Sequence, residues 1–137
     1  LNQKTESSKN IAVVLLNLGG PERLEDVEPF LFNLFSDRMI IRLGPAFMQK
    51  TIARFISRRR APKSAASYAK IGGGSPLGRI TADQANALEK ELSAPGNFKV
   101  SMAMRYWHPR AEETLAALQQ EGIQRIIALP LYPHYSI

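Results

Sequence analysis

The run Ile11 to Leu18, IAVVLLNL, leads straight into Gly19-Gly20-Pro21, and this junction constrains the fold more than any other stretch of the chain. A β-branched and aliphatic run with almost no polar interruption suits a strand covered on both faces, and so the centre of a parallel sheet. Gly19 and Gly20 admit a tight, closely approached backbone at the carboxyl end of that strand, and Pro21 stops it from continuing. Ligands of open α/β sheets bind outside the carboxyl ends of the strands, which makes this corner the first place to look for a site.

Downstream, Leu24 to Phe35 places Val27, Phe30, Leu31, Leu34 and Phe35 at helical spacing, with Glu25, Asp26 and Glu28 in the first turn, where the helix dipole favours them. Pro29 fits only if that helix starts close to Asp26. Asp37 to Gly44-Pro45 reads as a connection. A second amphipathic helix is predicted over Ala46 to Ser57, with Phe47, Met48, Ile52, Phe55 and Ile56 on its apolar face and Lys50, Arg54 and Arg58 opposite. Pro62 disfavours helical geometry at Ala61 and so separates this helix from a shorter one over Lys63 to Ile71. Gly72-Gly73-Gly74 ends that helix, and Ser75 as N-cap with Pro76 at the first helical position begins the next, with Thr81 and Gln84 offering a later start. Ala85, Leu88 and Leu92 form its buried stripe, and it stops by Pro95-Gly96.

Phe98 to Met104 alternates as a second strand and delivers Arg105-Tyr106-Trp107-His108-Pro109. Pro109 opens a helix with Glu112 and Glu113 in its first turn, Leu115 and Leu118 inward and Gly122 as its stop. Arg125 to Leu131 is a third strand, apolar on both faces, delivering Tyr132-Pro133-His134-Tyr135-Ser136. Strands joined by helices define an α/β fold, a Rossmann-like parallel sheet between helical layers. The carboxyl-end motifs Leu18-Gly19-Gly20, Arg105 to His108 and Tyr132 to Tyr135 then share one sheet edge. Residues 1–10 read as a disordered polar tail, and 11–137 as one domain.

Several function classes fall away. The fingerprint G-x-G-x-x-G is absent after the first strand, no G-x-x-x-x-G-K-[ST] occurs, and Gly72 to Gly74 follow a helix, so a nucleotide-binding reading has no motif. The chain has no cysteine, which removes disulfides and any cysteine ligand to zinc or an iron-sulfur cluster from these residues. A net charge of +6 favours an anionic partner. Nucleic acid is the weaker choice because the charge is not interleaved with a binding motif. The densest charge, Arg58-Arg59-Arg60 with Lys63, is either a solvated helix end or an anion site beside Phe55 and Ile56, with Lys70 and Arg79 near in sequence. His108 and His134 each neighbour a proline. With no carboxylate inside either motif, they read as caps or packed side chains rather than as an acid/base pair or metal site.

Together VLLNLGGPE (Val14 to Glu22), LFNLFSDRMII (Leu31 to Ile41), RRRAPKSAASYAKIGGGSPL (Arg58 to Leu77), MRYWHP (Met104 to Pro109) and LPLYPHYS (Leu129 to Ser136) resemble the amino-terminal half of the ferrochelatase family. IGGGSPL and LYPHYS carry most of the specificity. The resemblance implies an enzyme that inserts ferrous iron into protoporphyrin IX to make protohaem, built from two similar Rossmann-like halves with the porphyrin in the cleft between them. It assigns Leu18 to the porphyrin face or its metal centre and Arg59 and Arg60 to the propionate end. Tyr68, Ser75, Arg105 and Tyr106 match positions that line the cleft or bind propionates.

The family's catalytic histidine and glutamate come after LYPHYS and so lie beyond Ile137. The resemblance therefore implies that the chain supplies one wall of the cleft, is inactive without its second half, and carries no catalytic or metal-ligating residue of its own. Substrates are ferrous iron and protoporphyrin, with no permanently bound cofactor. Family members with an iron-sulfur cluster carry a cysteine where Ile137 stands, so this half contributes no such ligand.

Elementary chemistry is consistent with this resemblance. A porphyrin is a broad apolar disc with two carboxylates, so its receptor needs apolar walls and arginines at one end. Met39, Ile40 and Ile41 with the Phe47 to Ile56 helix offer an apolar lip, or else ordinary core. The same basic amphipathic stretch suits peripheral contact with an anionic membrane. Cytoplasm is the expected location, since the chain has no bilayer-spanning run and a polar start unlike a signal peptide. Competing readings are a tetrapyrrole-binding module without catalysis and a chelatase for another metal or tetrapyrrole.

Overall fold

A computed structural model describes residues 11–96 and 98–132. The tail reading of residues 1–10 and the part of LYPHYS from Pro133 onward, His134 included, lie outside them. The chain forms two compact units, one from the described parts of Leu1–Gly19 and Arg79–Ile137, the other Gly20–Gly78.

The first unit is the sheet. Strands β1 (Ile11–Asn17), β2 (Lys99–Met104) and β3 (Arg125–Pro130) lie in the order β2-β1-β3, with both pairings parallel. The aliphatic run is thus the central strand, and Ala12 to Leu15 are buried. On one sheet face Ala12, Val14 and Ala103 pack with Leu118 of helix α4 (Ala111–Gln120). On the other, Val13, Leu15 and Val100 pack with Ala85, Leu88 and Leu92 of helix α3 (Leu77–Gly96). Helix, sheet and helix form three layers, as an alternation of strands and helices requires.

Two expectations for this unit change. In α4 the inward residues are Thr114 and Leu118, while Leu115 is 47% exposed. The Thr114 hydroxyl donates to the carbonyl of Met102 at 2.7 Å, a bond Leu115 has no group to make. Among the described residues strand β3 lies at the sheet edge, and its apolar Ile126, Ile127 and Leu129 are exposed rather than covered.

The second unit is a helix pair. A single 3-10 turn at Leu24–Asp26 leads into α1 (Val27–Ser36), so Pro29 falls in the first turn, where its missing N–H is harmless. A second 3-10 turn, Ala46–Met48, leads into α2 (Gln49–Ala69). The helix runs unbroken through Pro62, contrary to the expected break. Pro62 and Arg58, whose carbonyl loses its helical donor, both lie on an exposed stretch of the helix, where an unpaired carbonyl costs little. Packing holds the helix on both sides of the proline. Ala53 is buried with Val27, Leu31 and Phe35, while Ala61, Ala65 and Tyr68 pack against that cluster.

The apolar face expected for this helix also shifts. Gln49, Ala53 and Ser57 are the buried residues, whereas Phe47 and Phe55 are 85% and 67% exposed. Small side chains at spacing four allow α2 to lie close against α1. Ser57 satisfies its hydroxyl by donating to the carbonyl of Ala53 at 2.6 Å.

Candidate functional site

In the sheet unit the strand ends meet as the topology requires. The main-chain N–H of Arg105 donates to the carbonyl of Asn17 at 3.0 Å, that of Tyr106 to Leu18 at 2.9 Å, and that of Leu131 to Leu16 at 2.9 Å. Leu18, Arg105, Tyr106 and the start of the third strand-end motif therefore share one sheet edge. The side chain of Asn17 holds the corner in place. Its Oδ1 accepts from the Leu18 N–H at 2.9 Å, and its Nδ2 donates to Thr81 Oγ1 at 3.2 Å.

Gly19 follows at φ +83°, and a Cβ there would stand 3.0 Å from Trp107 Cβ and 3.1 Å from Met104 Cβ. Two strand-end turns lie close together here, so a side chain at this position would crowd the facing turn as well as hold a backbone conformation that favours glycine.

Leu18 is half-exposed at this edge. Arg105 is exposed, with its guanidinium 5.5 Å from the centre of the Tyr106 ring. The Tyr106 ring is itself 4% exposed, so it acts as a platform beneath the arginine more than as open surface. The turn that carries them closes through the Met104 N–H, which donates to the Pro109 carbonyl at 2.7 Å.

The MRYWHP motif holds no carboxylate for His108, yet the fold supplies one. His108 Nδ1 lies 2.8 and 3.0 Å from the carboxylate oxygens of Glu113, which also accepts from the Arg110 N–H at 2.7 Å. That main-chain bond first, and His108 second, hold the Glu113 carboxyl below its ordinary pKa. The available signal was the capping-box position of Glu113, three residues after Arg110 at the start of α4. A carboxylate aimed back at the amino terminus of a helix also reaches the turn before it.

In the helical unit Arg59, Arg60, Lys63, Ser64 and Ser67 line an open cleft of ≈ 460 Å³. The Arg60 guanidinium lies 5.5 Å from the Phe35 ring centre, and Arg58 Nε pairs with Glu28 at 3.5 Å. Tyr68 is half-buried against the α1–α2 core, and its carbonyl accepts from the N–H groups of Ile71 and Gly73 as α2 ends.

Ser75 does start α3, its Oγ accepting from the Leu77 N–H at 3.3 Å. Its own N–H donates to the Pro21 carbonyl at 2.7 Å, and a Cβ on Gly74 would fall on the carbonyl of Glu22. The GGGSP motif is thus glycine-rich partly because it packs on the chain that follows the first Gly-Gly corner. The seven expected site residues divide between the units: Leu18, Arg105 and Tyr106 in the sheet, and Arg59, Arg60, Tyr68 and Ser75 in the helical unit.

The sequence profile of the family described as Ferrochelatase matches residues 10–137. The chain belongs to the ferrochelatase family. It is 62% identical over 124 residues to the ferrochelatase of Desulfotalea psychrophila, an alignment covering 90% of this chain and 39% of that protein. It is 58% identical over 129 residues to the ferrochelatase of Geotalea daltonii, covering 94% and 40%. A plant relative, the chloroplastic ferrochelatase-2 of Arabidopsis thaliana, is 55% identical over 138 residues, covering 97% of this chain and 26% of that protein. The chain thus spans about two fifths of the length of the bacterial ferrochelatases it matches.

Among the described residues no group of three or more His, Cys, Asp or Glu is placed to hold a metal ion. Among them, too, no helix is long and apolar enough to cross a membrane.

Proposed function

We propose that this chain is the amino-terminal part of an enzyme that inserts ferrous iron into protoporphyrin IX, and that it supplies one wall of the porphyrin site. Family membership supports the reading, and the observation that carries it is the pairing of the first two strand ends. The Tyr106 N–H bound to the Leu18 carbonyl puts an exposed cation and an apolar side chain on one edge. Leu18 then faces the macrocycle, and Arg105, steadied over Tyr106, takes a propionate through its planar fork. In the helical unit the Arg59–Arg60–Lys63 cleft supplies further positive charge for carboxylates, and Tyr68 at the end of α2 and Ser75 at the start of α3 are assigned to further contact with the porphyrin. Met39, Ile40, Phe47 and Phe55, all exposed, form an apolar lip flanked by Arg42, Lys50 and Arg54. A surface of that kind suits both a poorly soluble macrocycle and an anionic membrane, at which a cytoplasmic enzyme docks peripherally.

Insertion removes two pyrrole protons as the metal enters, and it requires a proton acceptor and a macrocycle held between two walls. This chain supplies the carboxylate contacts and one apolar wall. We assign proton transfer and iron delivery to a histidine and a glutamate beyond Ile137, and expect no bound cofactor and no cluster ligand from this part. The test is metal insertion followed by absorbance. The full-length enzyme turns over protoporphyrin with ferrous iron, and the isolated 137-residue chain does not exceed the protein-free rate. Turnover by the isolated chain approaching that of the full-length enzyme would overturn the division of labour.

A further inference from the structure

We propose that Gln49 is a positioning residue that fixes the apolar lip at Met39 and Ile40 for porphyrin binding. This rests on the reading, given above, that the lip contacts the macrocycle.

Gln49 is the first residue of α2 and is 2% exposed. Its side-chain amide is fully used. Nε2 donates to the carbonyls of Phe35 at 2.7 Å and Ile41 at 2.9 Å, while Oε1 accepts from the Leu43 N–H at 3.1 Å and from Arg38 Nη1 at 3.4 Å. One buried side chain therefore ties the end of α1, the 37–45 connection and the start of α2 together. Arg38 adds a bond from Nη1 to the Gly44 carbonyl at 2.7 Å. Within the connection, Asp37 Oδ1 accepts from the Met39 N–H at 2.8 Å, and the Asp37 carbonyl accepts from Ile40 and Ile41 at 3.2 and 3.1 Å.

The tied loop divides its own side chains. Ile41 and Leu43 pack against the helix-pair core, while Met39 and Ile40 are 83% and 52% exposed. A loose loop with two such side chains lowers its free energy by folding them onto the nearest apolar surface. Pinning its backbone at both ends from a buried amide prevents that collapse and keeps them presented. A fully satisfied buried amide also fixes one geometry, because any displacement leaves a buried donor or acceptor unpaired.

The test uses the full-length enzyme with Gln49→Met, which keeps the volume and loses all four bonds. Gln49→Glu, which keeps the acceptor contacts and loses both donors, serves if the methionine variant does not fold. Loss of these bonds is expected to speed amide hydrogen exchange across residues 37–44 by about tenfold and to raise the porphyrin KM by about tenfold, with kcat and the iron KM within about twofold. Unchanged exchange, or faster exchange with an unchanged porphyrin KM, overturns the proposal. The double variant Met39→Ser, Ile40→Ser separates the two ideas. If it leaves the porphyrin KM unchanged, the lip reading itself fails. If it raises that KM while Gln49→Met does not, only the role of Gln49 is lost.

Discussion

The main-chain N–H of Tyr106 donates to the carbonyl oxygen of Leu18 at 2.9 Å, so residues 88 positions apart in the chain occupy one strand-end edge. Beside that bond, Gly19 lies against Trp107 at φ +83°, where an added Cβ would stand 3.0 Å from Trp107 Cβ. Gly19→Ala is expected to destabilise the fold by about 2 to 3 kcal/mol, from a disfavoured backbone region and overpacking together. Urea denaturation followed by circular dichroism measures it, and a loss within experimental error of zero would mean the two turns are not packed this way.

A contrast between glycines tests the second motif. A Cβ on Gly74 would fall on the Glu22 carbonyl, whereas one on Gly72, at φ +105°, meets nothing within 4 Å. Gly72→Ala should therefore cost only backbone strain, about 1 to 2 kcal/mol. Gly74→Ala should cost about 3 kcal/mol or more, because backbone must move to admit the methyl group. Equal losses at the two positions would contradict the contact between GGGSP and the Pro21-Glu22 chain.

Much of the sheet was legible because its signals are local and unambiguous. The aliphatic run ending in Gly-Gly-Pro places β1 at the centre, and parallel topology alone brings Leu18, Arg105 and Tyr106 to one edge. What escaped depends on partners distant in the chain or on departures from simple periodicity. The buried stripe Gln49, Ala53, Ser57 carries no hydrophobic signal, since close helix packing selects small side chains and a buried amide needs loop carbonyls invisible in sequence. Phe47 and Phe55 read equally as lip or as core, since spacing alone does not say which apolar face of a helix is covered, and both are exposed. The His108–Glu113 pair escaped because the carboxylate lies outside the MRYWHP motif, on the helix that follows it.

The unbroken course of α2 through Pro62 leads to a third expectation. Proline in a helix interior costs about 3 kcal/mol relative to alanine. Part of that is offset because proline also restricts the unfolded chain, by about 0.4 to 1 kcal/mol. Pro62→Ala should therefore stabilise the protein by about 1 to 3 kcal/mol, read as a higher midpoint in chemical denaturation. A neutral or destabilising result would favour two helices separated at Ala61-Pro62.

Acid sensitivity follows from Glu113, whose carboxyl titrates below its ordinary value because it accepts from the Arg110 N–H and from His108. A lowered folded-state pKa means the stability it contributes is complete above the unfolded-state value and disappears as pH falls through the folded-state value. Glu113→Gln should thus be less stable than the parent at neutral pH, with the difference shrinking below the ordinary carboxylate range. Thermal melts of both proteins across that range test the sign, and a difference that widens on acidification would contradict it.

The most direct measurement is equilibrium binding of protoporphyrin and of its dimethyl ester to the full-length enzyme and to Arg105→Ala. A propionate held by Arg105 at the strand-end edge predicts that the variant loses about 1.5 to 3 kcal/mol of affinity for the diacid, the range for a hydrogen bond to a charged group, and almost none for the ester. Equal losses for acid and ester, or no loss for either, would contradict the placement of a porphyrin carboxylate on this wall.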